Sequence, residues 1–252
     1  WSGTKDVRSP LAIRPVTADA PLAVFGTGLT GSTDVTLTPG LDGELPLTLG
    51  GLAAGSVLPD AAAPGSGHSG TETSGTQQWV VQMGAGVSLG RFDLDSSDDE
   101  GSDLDLSVYR VVSPTDLRYY QVWQSATGSA DERVDIWDPT AGYYLVIADV
   151  FGTSKPITYD MSTYFVGATG EGALTATPNP LAAQQGVATT YAFSWTGLAP
   201  EKTYLGFAQY GDSEVRTTVE VKSGLAAPAA TTAPGITGSP LVGSTLKATP
   251  GV

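Results

Sequence analysis

The sequence predicts an all-β protein made of β-sandwich modules, of the jelly-roll or immunoglobulin-like type, with no substantial helix. Apolar residues at the three-and-four spacing of a helix never persist along the chain, and the best Ala-rich candidate, 181–188, is broken by Gly186. Runs rich in aromatic and β-branched residues recur instead, between clusters of Gly, Pro, Ser and Asp. The composition agrees, because 32 Gly, 17 Pro and only 15% charged residues are typical of short strands joined by turns.

Two series of strand-like runs follow a hairpin-like start at 34–52. In chain order, the predicted strands are 77–83, 87–95, 103–112, 119–125, 132–138, 142–150 and 158–166, then 172–178, 189–198, 203–210 and 215–222. The turn residues between these runs occur at the spacing expected of a sandwich or a barrel. We therefore expect two groups of strands.

Most of the large aromatic residues lie within these runs. The tryptophans that core packing would explain are Trp79, Trp123, Trp137 and Trp195. Tyrosine also occurs as doublets, at 119–120 and 143–144. Because successive side chains alternate across a strand, one tyrosine of each doublet must face outward. Such a tyrosine either fills a sheet edge or belongs to a ligand-binding face.

Two low-complexity segments, 61–77 and 224–235, divide the chain. Gly and Ser in the first indicate a flexible loop, and Pro and Ala in the second indicate an inter-domain linker. We predict one sandwich at 78–166, flanked by further sandwich strands in 16–77 and 167–223. The flanking strands either form a second sandwich into which the central one is inserted, or belong to sandwiches arranged in series.

The charge balance excludes two classes of partner. With 12 Lys and Arg against 26 Asp and Glu, a formal net charge of −14, the chain lacks the basic surface that nucleic acid or an anionic membrane requires. No apolar run is long enough for a membrane span. The absence of Cys excludes disulfides and Cys-ligated zinc.

The chain opens on Trp1 without a start Met or a basic leader, so we expect it to be a piece of a longer protein. Its low Lys content, abundant Thr and Gly, and strong acidity favour a secreted protein. An extracellular location is therefore expected.

The stretch DLDSSDDEGSDLDLSVY, at 93–109, is the metal-site candidate. Apolar and acidic residues alternate on both sides of its centre, so each strand places its carboxylates on one face. If 87–95 and 103–112 pair as a hairpin, four carboxylates share a face below an acidic tip, and Ca²⁺ would suit such a set of oxygens. The candidate ligands are Asp93, Asp95, Asp98, Asp99, Glu100, Asp103 and Asp105. The alternative is a solvated acidic loop that binds no metal.

No catalytic motif is complete. His68, the only histidine, lies in a Gly/Ser segment that cannot hold an imidazole beside a hydroxyl, as a Ser-His-Asp triad requires. The surrounding GHSGT departs from the nucleophile elbow at Thr71. Carboxylates for glycoside hydrolysis occur at 93–105, but they crowd on one predicted hairpin. We therefore expect no enzymatic activity from this chain.

Three stretches resemble parts of one kind of protein. WSGTKDVRSPLAI, at 1–13, resembles the last strand of the fibronectin-III-like domain that follows the catalytic domain in subtilisin-like serine proteases. SDLDLSVYR, at 102–110, and GSADERVDIWDPTAGYYLVIADV, at 128–150, resemble the bacterial pre-peptidase C-terminal domain. PGITGSPLVGSTLKATPG, at 234–251, resembles the opening of an Ig-like repeat found in secreted actinobacterial proteins.

The resemblance implies the non-catalytic C-terminal region of a secreted actinobacterial subtilisin-like serine protease. It implies that 1–15 ends a fibronectin-III-like domain, that 78–166 is a pre-peptidase-type sandwich and that 236–252 begins an Ig-like repeat. The partner would be the upstream catalytic domain, and the chain would stabilise it or bind substrate or cell surface. The family's Asp, His and Ser motifs are absent, and FGTSKP lacks the Met-Ala that should follow Ser154. The alternative is a free-standing extracellular polymer-binding or adhesin-type module.

If the acidic stretch binds calcium, a chelator should lower the melting temperature of the chain. The reason is mass action: an ion that binds only the native state stabilises it, by about 2.7 kcal/mol when its concentration is a hundred times Kd. Melting curves followed by circular dichroism, with chelator and with millimolar calcium, provide the measurement. Superimposable curves would contradict calcium binding.

Overall fold

A computed structural model of the chain describes residues 16–96, 101–225, 235–239 and 241–249. These residues form strands and connecting turns, with no helix among them, which confirms the all-β prediction. In this part of the chain, no helix is long and apolar enough to cross a membrane. The strand predicted in 1–15 lies outside the described residues, as do most of the predicted linker and residues 97–100, which include Asp98, Asp99 and Glu100.

The strands fall into three groups. Those that flank the central segment are β1 Ala18–Asp19, β2 Ala23–Thr27, β3 Gly31–Pro39, β4 Gly43–Leu45, β5 Leu47–Ala54, β15 Ala173–Thr177, β16 Leu181–Ala183, β17 Thr189–Thr196, β18 Thr203–Tyr210 and β19 Arg216–Lys222. Those of the central segment are β6 Ser56–Val57, β7 Gly70–Glu72, β8 Gly75–Met83, β9 Val87–Asp95, β10 Asp103–Ser113, β11 Asp116–Ser125, β12 Glu132–Trp137, β13 Gly142–Gly152 and β14 Ile157–Gly167. A final pair consists of β20 Gly235–Thr237 and β21 Lys247–Thr249.

The flanking strands form a first β-sandwich. Its two main sheets have the strand orders β1-β3-β17-β15 and β2-β19-β18-β5, and they enclose a core that contains Trp195, Tyr191 and Phe193. Strands from before and after the central segment pair directly, since β3 pairs with β17 and β5 with β18. The central segment therefore lies, in sequence, between the two halves of this sandwich.

The central strands form a second β-sandwich. Its sheets have the orders β11-β10-β13-β8 and β12-β9-β14-β6, with β7 also paired to β14. Phe92 and Leu94 of β9 face Leu104 and Leu106 of β10 across the core that the two sheets enclose. Because β6 and β7 pair with β14, this sandwich takes strands from the sequence before residue 78.

The two sandwiches pack against each other through the outer faces of one sheet each. A separate apolar cluster joins Tyr164 and Val166 of β14 to Leu205 and Phe207 of β18. The Trp137 ring meets the Phe207 ring edge-on, with 5.1 Å between centroids. We call this interface the joint. It includes the charged residues Arg91, Arg133 and Glu220 beside the apolar cluster.

One glycine shows how closely the chain passes itself where it leaves the second sandwich. The amide of Glu171 donates a hydrogen bond to the carbonyl oxygen of Leu52 at 2.7 Å. A Cβ atom added at Gly170 would lie 2.0 Å from that same oxygen. Since the contacted atom belongs to the backbone, no side-chain rotation can relieve the clash.

Replacing Gly170 by alanine should therefore lower the free energy of unfolding by about 1–3 kcal/mol, the usual cost of overpacking. The matched control is Gly84→Ala, because a Cβ there meets nothing within 4 Å, and it should change stability by no more than about 0.5 kcal/mol. Urea titration followed by tryptophan fluorescence measures both variants. Equal midpoints for the two would show that the 167–172 connection is not packed as described.

Candidate functional site

The structure separates the acidic residues that the sequence predicts to share one face. Strands β9 and β10 do not pair: β9 lies between β12 and β14, and β10 lies between β11 and β13. Asp93 and Asp95 therefore lie on the outer face of the sheet that contains β9. Asp103 and Asp105 lie on the outer face of the sheet that contains β10. The hairpin prediction is wrong, because the connection between these strands crosses from one sheet of the sandwich to the other.

Asp103 and Asp105 lie at the start of β10. Asp105 is directly opposite Asp149 of β13. Desolvation, followed by the charges of Asp103 and Asp149, raises the pKa of Asp105. One carboxylate oxygen of Asp103, Oδ1, is buried and has no hydrogen-bond partner among the described residues.

The remaining candidate ligands, Asp98, Asp99 and Glu100, lie outside the described residues. Within the ranges that are described, no group of three or more His, Cys, Asp or Glu side chains is arranged to hold a metal ion. A calcium site in 93–105 stays a prediction. The four candidate ligands that the structure describes form two separate pairs, Asp93 with Asp95 on β9 and Asp103 with Asp105 on β10.

Asp93 instead belongs to a network of ion pairs in the joint. Its carboxylate accepts two hydrogen bonds from the Arg133 guanidinium, at 2.7 and 2.8 Å. Arg91, two residues before Asp93 on the same strand, donates two hydrogen bonds to Asp135 at the same distances. Glu220 of the first sandwich lies 3.7 Å from both guanidinium groups. The network therefore connects the two sandwiches electrostatically.

A polar cleft of about 270 Å³ lies beside this network, between the sandwiches. Asp95 and Asp160 are direct cross-strand neighbours at its wall, and like charges in that position repel. Burial, then the charges of Asp131, Asp93 and Asp160, raises the pKa of Asp95, while Lys222 opposes the shift. The cleft thus concentrates carboxylates but also contains lysine.

Asp160 and Glu220 are site residues that reasoning from the sequence misses. Both are distant in the chain from the acidic stretch, so no local pattern connects them to Asp95. The available signal is the alternation in 158–166, which places Asp160, Ser162 and Tyr164 on one face of a strand.

A wider groove of about 490 Å³ is also lined by residues of both sandwiches. Three of its lining residues are Arg91, Arg133 and Arg216. Each of these arginines already has a carboxylate partner, and Arg216 lies 3.0 Å from Asp138. The groove therefore presents paired guanidinium groups to any ligand.

Two exposed aromatic residues of the second sandwich lie side by side at one edge of a sheet. Tyr119 and Tyr120, on the edge strand β11, are each 62% exposed. The Tyr119 ring contacts that of Tyr109, with 5.2 Å between centroids, and the Arg110 guanidinium lies 5.3 Å from the centre of the Tyr120 ring. We call Tyr109, Tyr119, Tyr120 and the 45% exposed Val122 the tyrosine edge.

A bulge explains why both tyrosines of this doublet are exposed. Arg110 is opposite Gln121 and Val111 is opposite Tyr119, which leaves Tyr120 without a register partner. An extra residue in one strand interrupts the alternation of side chains. In the other doublet alternation holds: Tyr144 is buried in the core, and Tyr143 is half-buried.

The tryptophans within the described residues are mostly buried, in line with their predicted role in packing. Trp79 and Trp195 are core residues, and Trp123 and Trp137 are half-buried. None of the four belongs to the tyrosine edge.

His68 and its neighbour Ser69 are engaged differently from a catalytic pair. The Ser69 hydroxyl is fully buried, donates to the carbonyl oxygen of Leu58 at 2.6 Å and accepts from the Met161 amide at 2.8 Å. The Nδ1 atom of His68 is buried and has no hydrogen-bond partner among the described residues. Ser69 therefore connects the 58–69 segment to β14.

Comparison of the sequence with protein-family models and with curated proteins gave no match.

The two neighbouring aspartates of β9 should respond oppositely to neutralisation. The raised pKa of Asp95 means that its carboxyl holds a proton more tightly in the native state than in the unfolded chain, so the charged form costs stability as pH rises. Asp95→Asn should raise the melting temperature at pH 7 by about 1–3 °C. The gain should disappear below the ordinary carboxyl pKa of 3.8, because both states are then protonated.

Asp93→Asn is the matched control, since it removes the partner of Arg133 on the same strand face. It should lower the free energy of unfolding by about 1–3 kcal/mol, as expected for hydrogen bonds to a charged group. Thermal melts of both variants from pH 3 to pH 8 make the comparison. Destabilisation by Asp95→Asn at neutral pH would contradict the described environment of Asp95.

Proposed function

We propose that this chain is a non-catalytic accessory region of a secreted subtilisin-like serine protease, and that its tyrosine edge holds an extended polypeptide substrate near the upstream catalytic domain. The observation that carries the proposal is the exposure of Tyr119 and Tyr120 on an edge strand. The protease partner comes from the resemblance of 1–13 and 102–150, and the binding mode comes from the geometry of β11.

The tyrosine edge has two features that suit a polypeptide. β11 is the terminal strand of its sheet, so in the described part of the chain one of its backbone edges has no strand partner. An extended peptide binds such an edge by main-chain hydrogen bonds, and neighbouring side chains supply specificity. Exposed tyrosines add a large amphipathic contact area at low conformational cost, because each has only two side-chain torsions.

The tyrosines are partly ordered before any ligand binds. Tyr119 packs edge-on against Tyr109, and Arg110 lies over the Tyr120 ring. Side chains already held by neighbours lose less freedom on binding, so more of the contact energy is expressed as affinity. The joint also fixes the tyrosine edge relative to the first sandwich, which in the proposed protein is the module nearer the catalytic domain.

The double variant Tyr119→Ala/Tyr120→Ala should bind insoluble protein polymers, such as collagen or keratin, at least about tenfold more weakly, since interface tyrosines often contribute 2 kcal/mol or more. Its melting temperature should change by less than about 2 °C, because mutations at exposed sites have small effects. Pull-down with a depletion isotherm measures the affinity. Phe25→Ala, at a side chain 66% exposed on the first sandwich, is the matched control and should bind normally.

Two results would overturn the proposal. Equal affinity of the double variant and the parent chain would exclude the tyrosine edge. Retention on chitin or peptidoglycan, and on no protein polymer, would favour the free-standing polymer-binding or adhesin-type module. Fusing the chain to an active subtilisin-like catalytic domain then tests the accessory role. The fusion should cleave insoluble protein substrate faster than the catalytic domain alone, and soluble substrate at the same rate.

A further inference from the structure

One loop of the second sandwich is exposed along its whole length. Residues 61–67, with the sequence AAAPGSG, lie between β6 and β7, and every one of them is exposed. None of them belongs to a strand, and their turn bonds are local, such as that from the Ser66 amide to the Ala63 carbonyl oxygen at 3.1 Å. Exposed loop tips of small and polar residues are preferred sites of proteolytic cleavage. We call residues 61–67 the exposed loop.

Buried contacts hold the chain on both sides of the exposed loop. Before it, the Leu58 amide donates to the Met161 carbonyl oxygen at 2.8 Å. After it, the fully buried Ser69 donates its amide to the Tyr159 carbonyl oxygen at 3.1 Å and its hydroxyl to the Leu58 carbonyl oxygen at 2.6 Å. Both sides are thus bound to β14 and to each other, through hydrogen bonds that a break within the loop leaves intact.

The chain before the exposed loop is built into both sandwiches. Its strand β3 pairs with β17, β5 with β18 and β2 with β19, while β6 pairs with β14. Its side chains Leu37, Leu45 and Leu52 are each 1% exposed in the core of the first sandwich. The two parts of the chain are therefore interlocked, because both contribute strands to the same sheets.

The sequence restricts which peptidases can cut the exposed loop. Its residues are Ala, Pro, Gly and Ser, and no Lys or Arg occurs between Arg14 and Arg91. The pocket that receives the side chain before the scissile bond sets the preference of a serine peptidase. An endopeptidase that requires a basic or a large aromatic side chain there finds none in the loop. One whose pocket accepts small side chains finds several.

We propose that the exposed loop is a proteolytic processing site for an endopeptidase that accepts small side chains, and that the cleaved chain persists as a two-chain protein. Hydrolysis breaks one C–N peptide bond in 61–67 with one molecule of water. The carbonyl carbon takes the hydroxyl group and becomes a new carboxyl terminus, and the nitrogen takes the proton and becomes a new amino terminus. Both termini lie in solvent, so their charges are not buried. The strand pairings, the joint and the tyrosine edge include no residue of the loop and stay intact.

An endopeptidase of the elastase type tests the site in the full chain, since its pocket accepts small side chains. Its first cut within residues 16–96 should fall in 61–67, as the masses of the fragments show. The two fragments should elute together in native size-exclusion chromatography, at the volume of the uncut chain, and separate only in denaturant. The melting temperature of the cleaved protein should rise with protein concentration, because its folded state is an assembly of two chains.

Two variants provide a matched comparison, because each introduces a basic residue into the stretch between Arg14 and Arg91 that otherwise contains none. Ser66→Arg places it in the exposed loop, and Thr36→Arg places it at an exposed position of β3, whose backbone pairs with β17. Trypsin should cut the first variant in the loop and leave the parent chain uncut from 15 to 90. It should cut Thr36→Arg at least about a hundredfold more slowly, since a paired strand must first leave its sheet.

Three results would overturn the proposal. Equal trypsin sensitivity of the two variants would show that the exposed loop is no more accessible than a paired strand. A first elastase cut elsewhere in 16–96 would exclude the loop as the processing site. Separate elution of the fragments without denaturant would exclude the two-chain protein. Circular dichroism before digestion confirms that each variant is folded, and Ala61→Arg replaces Ser66→Arg if that variant does not fold.

Discussion

The structure depends on the burial of one arginine between the two sandwiches. Arg91 is 3% exposed, and removing a guanidinium from water costs several kcal/mol unless carboxylates surround it. Asp135 pairs with it from the neighbouring strand, and Glu220 approaches it from the other sandwich. Because one partner belongs to each sandwich, Arg91 has its full set of counter-charges only when the sandwiches are packed together. The apolar cluster around Tyr164 and Phe207 adds the non-directional part of the same interface.

The joint also decides which surfaces remain available for function. It covers the outer face of β9 and β14, and with it Asp93. The other sheet of the second sandwich keeps an outer face and the edge strand β11, where the tyrosine edge lies. Polymer binding is thus proposed at a site that does not compete with the packing of the sandwiches.

Several features were predictable because they depend on neighbours in the chain. The run 87–95 is β9 with the same bounds, and 142–150 falls within β13. Alternation correctly placed Phe92 and Leu94 in a core, with Asp93 and Asp95 on the opposite face. It also required that one residue of the 143–144 doublet be buried. The exposure of both Tyr119 and Tyr120 was not predictable, because a bulge depends on the strand paired alongside.

By itself, the sequence determined the all-β class, most strand positions and the face of each strand that its carboxylates occupy. Tertiary structure alone decided which sheet each strand joins. The alternation in β9 and β10 is compatible with a hairpin in one sheet and with a connection that crosses to the other sheet. Both arrangements bury the same apolar residues and expose the same carboxylates. The same limit hid Asp160, the cross-strand neighbour of Asp95, and Glu220, which approaches Arg91 from the other sandwich, because both meet these residues across long sequence separations. Side-chain period is a local property, whereas the choice of neighbouring strand is set by the packing of the whole core.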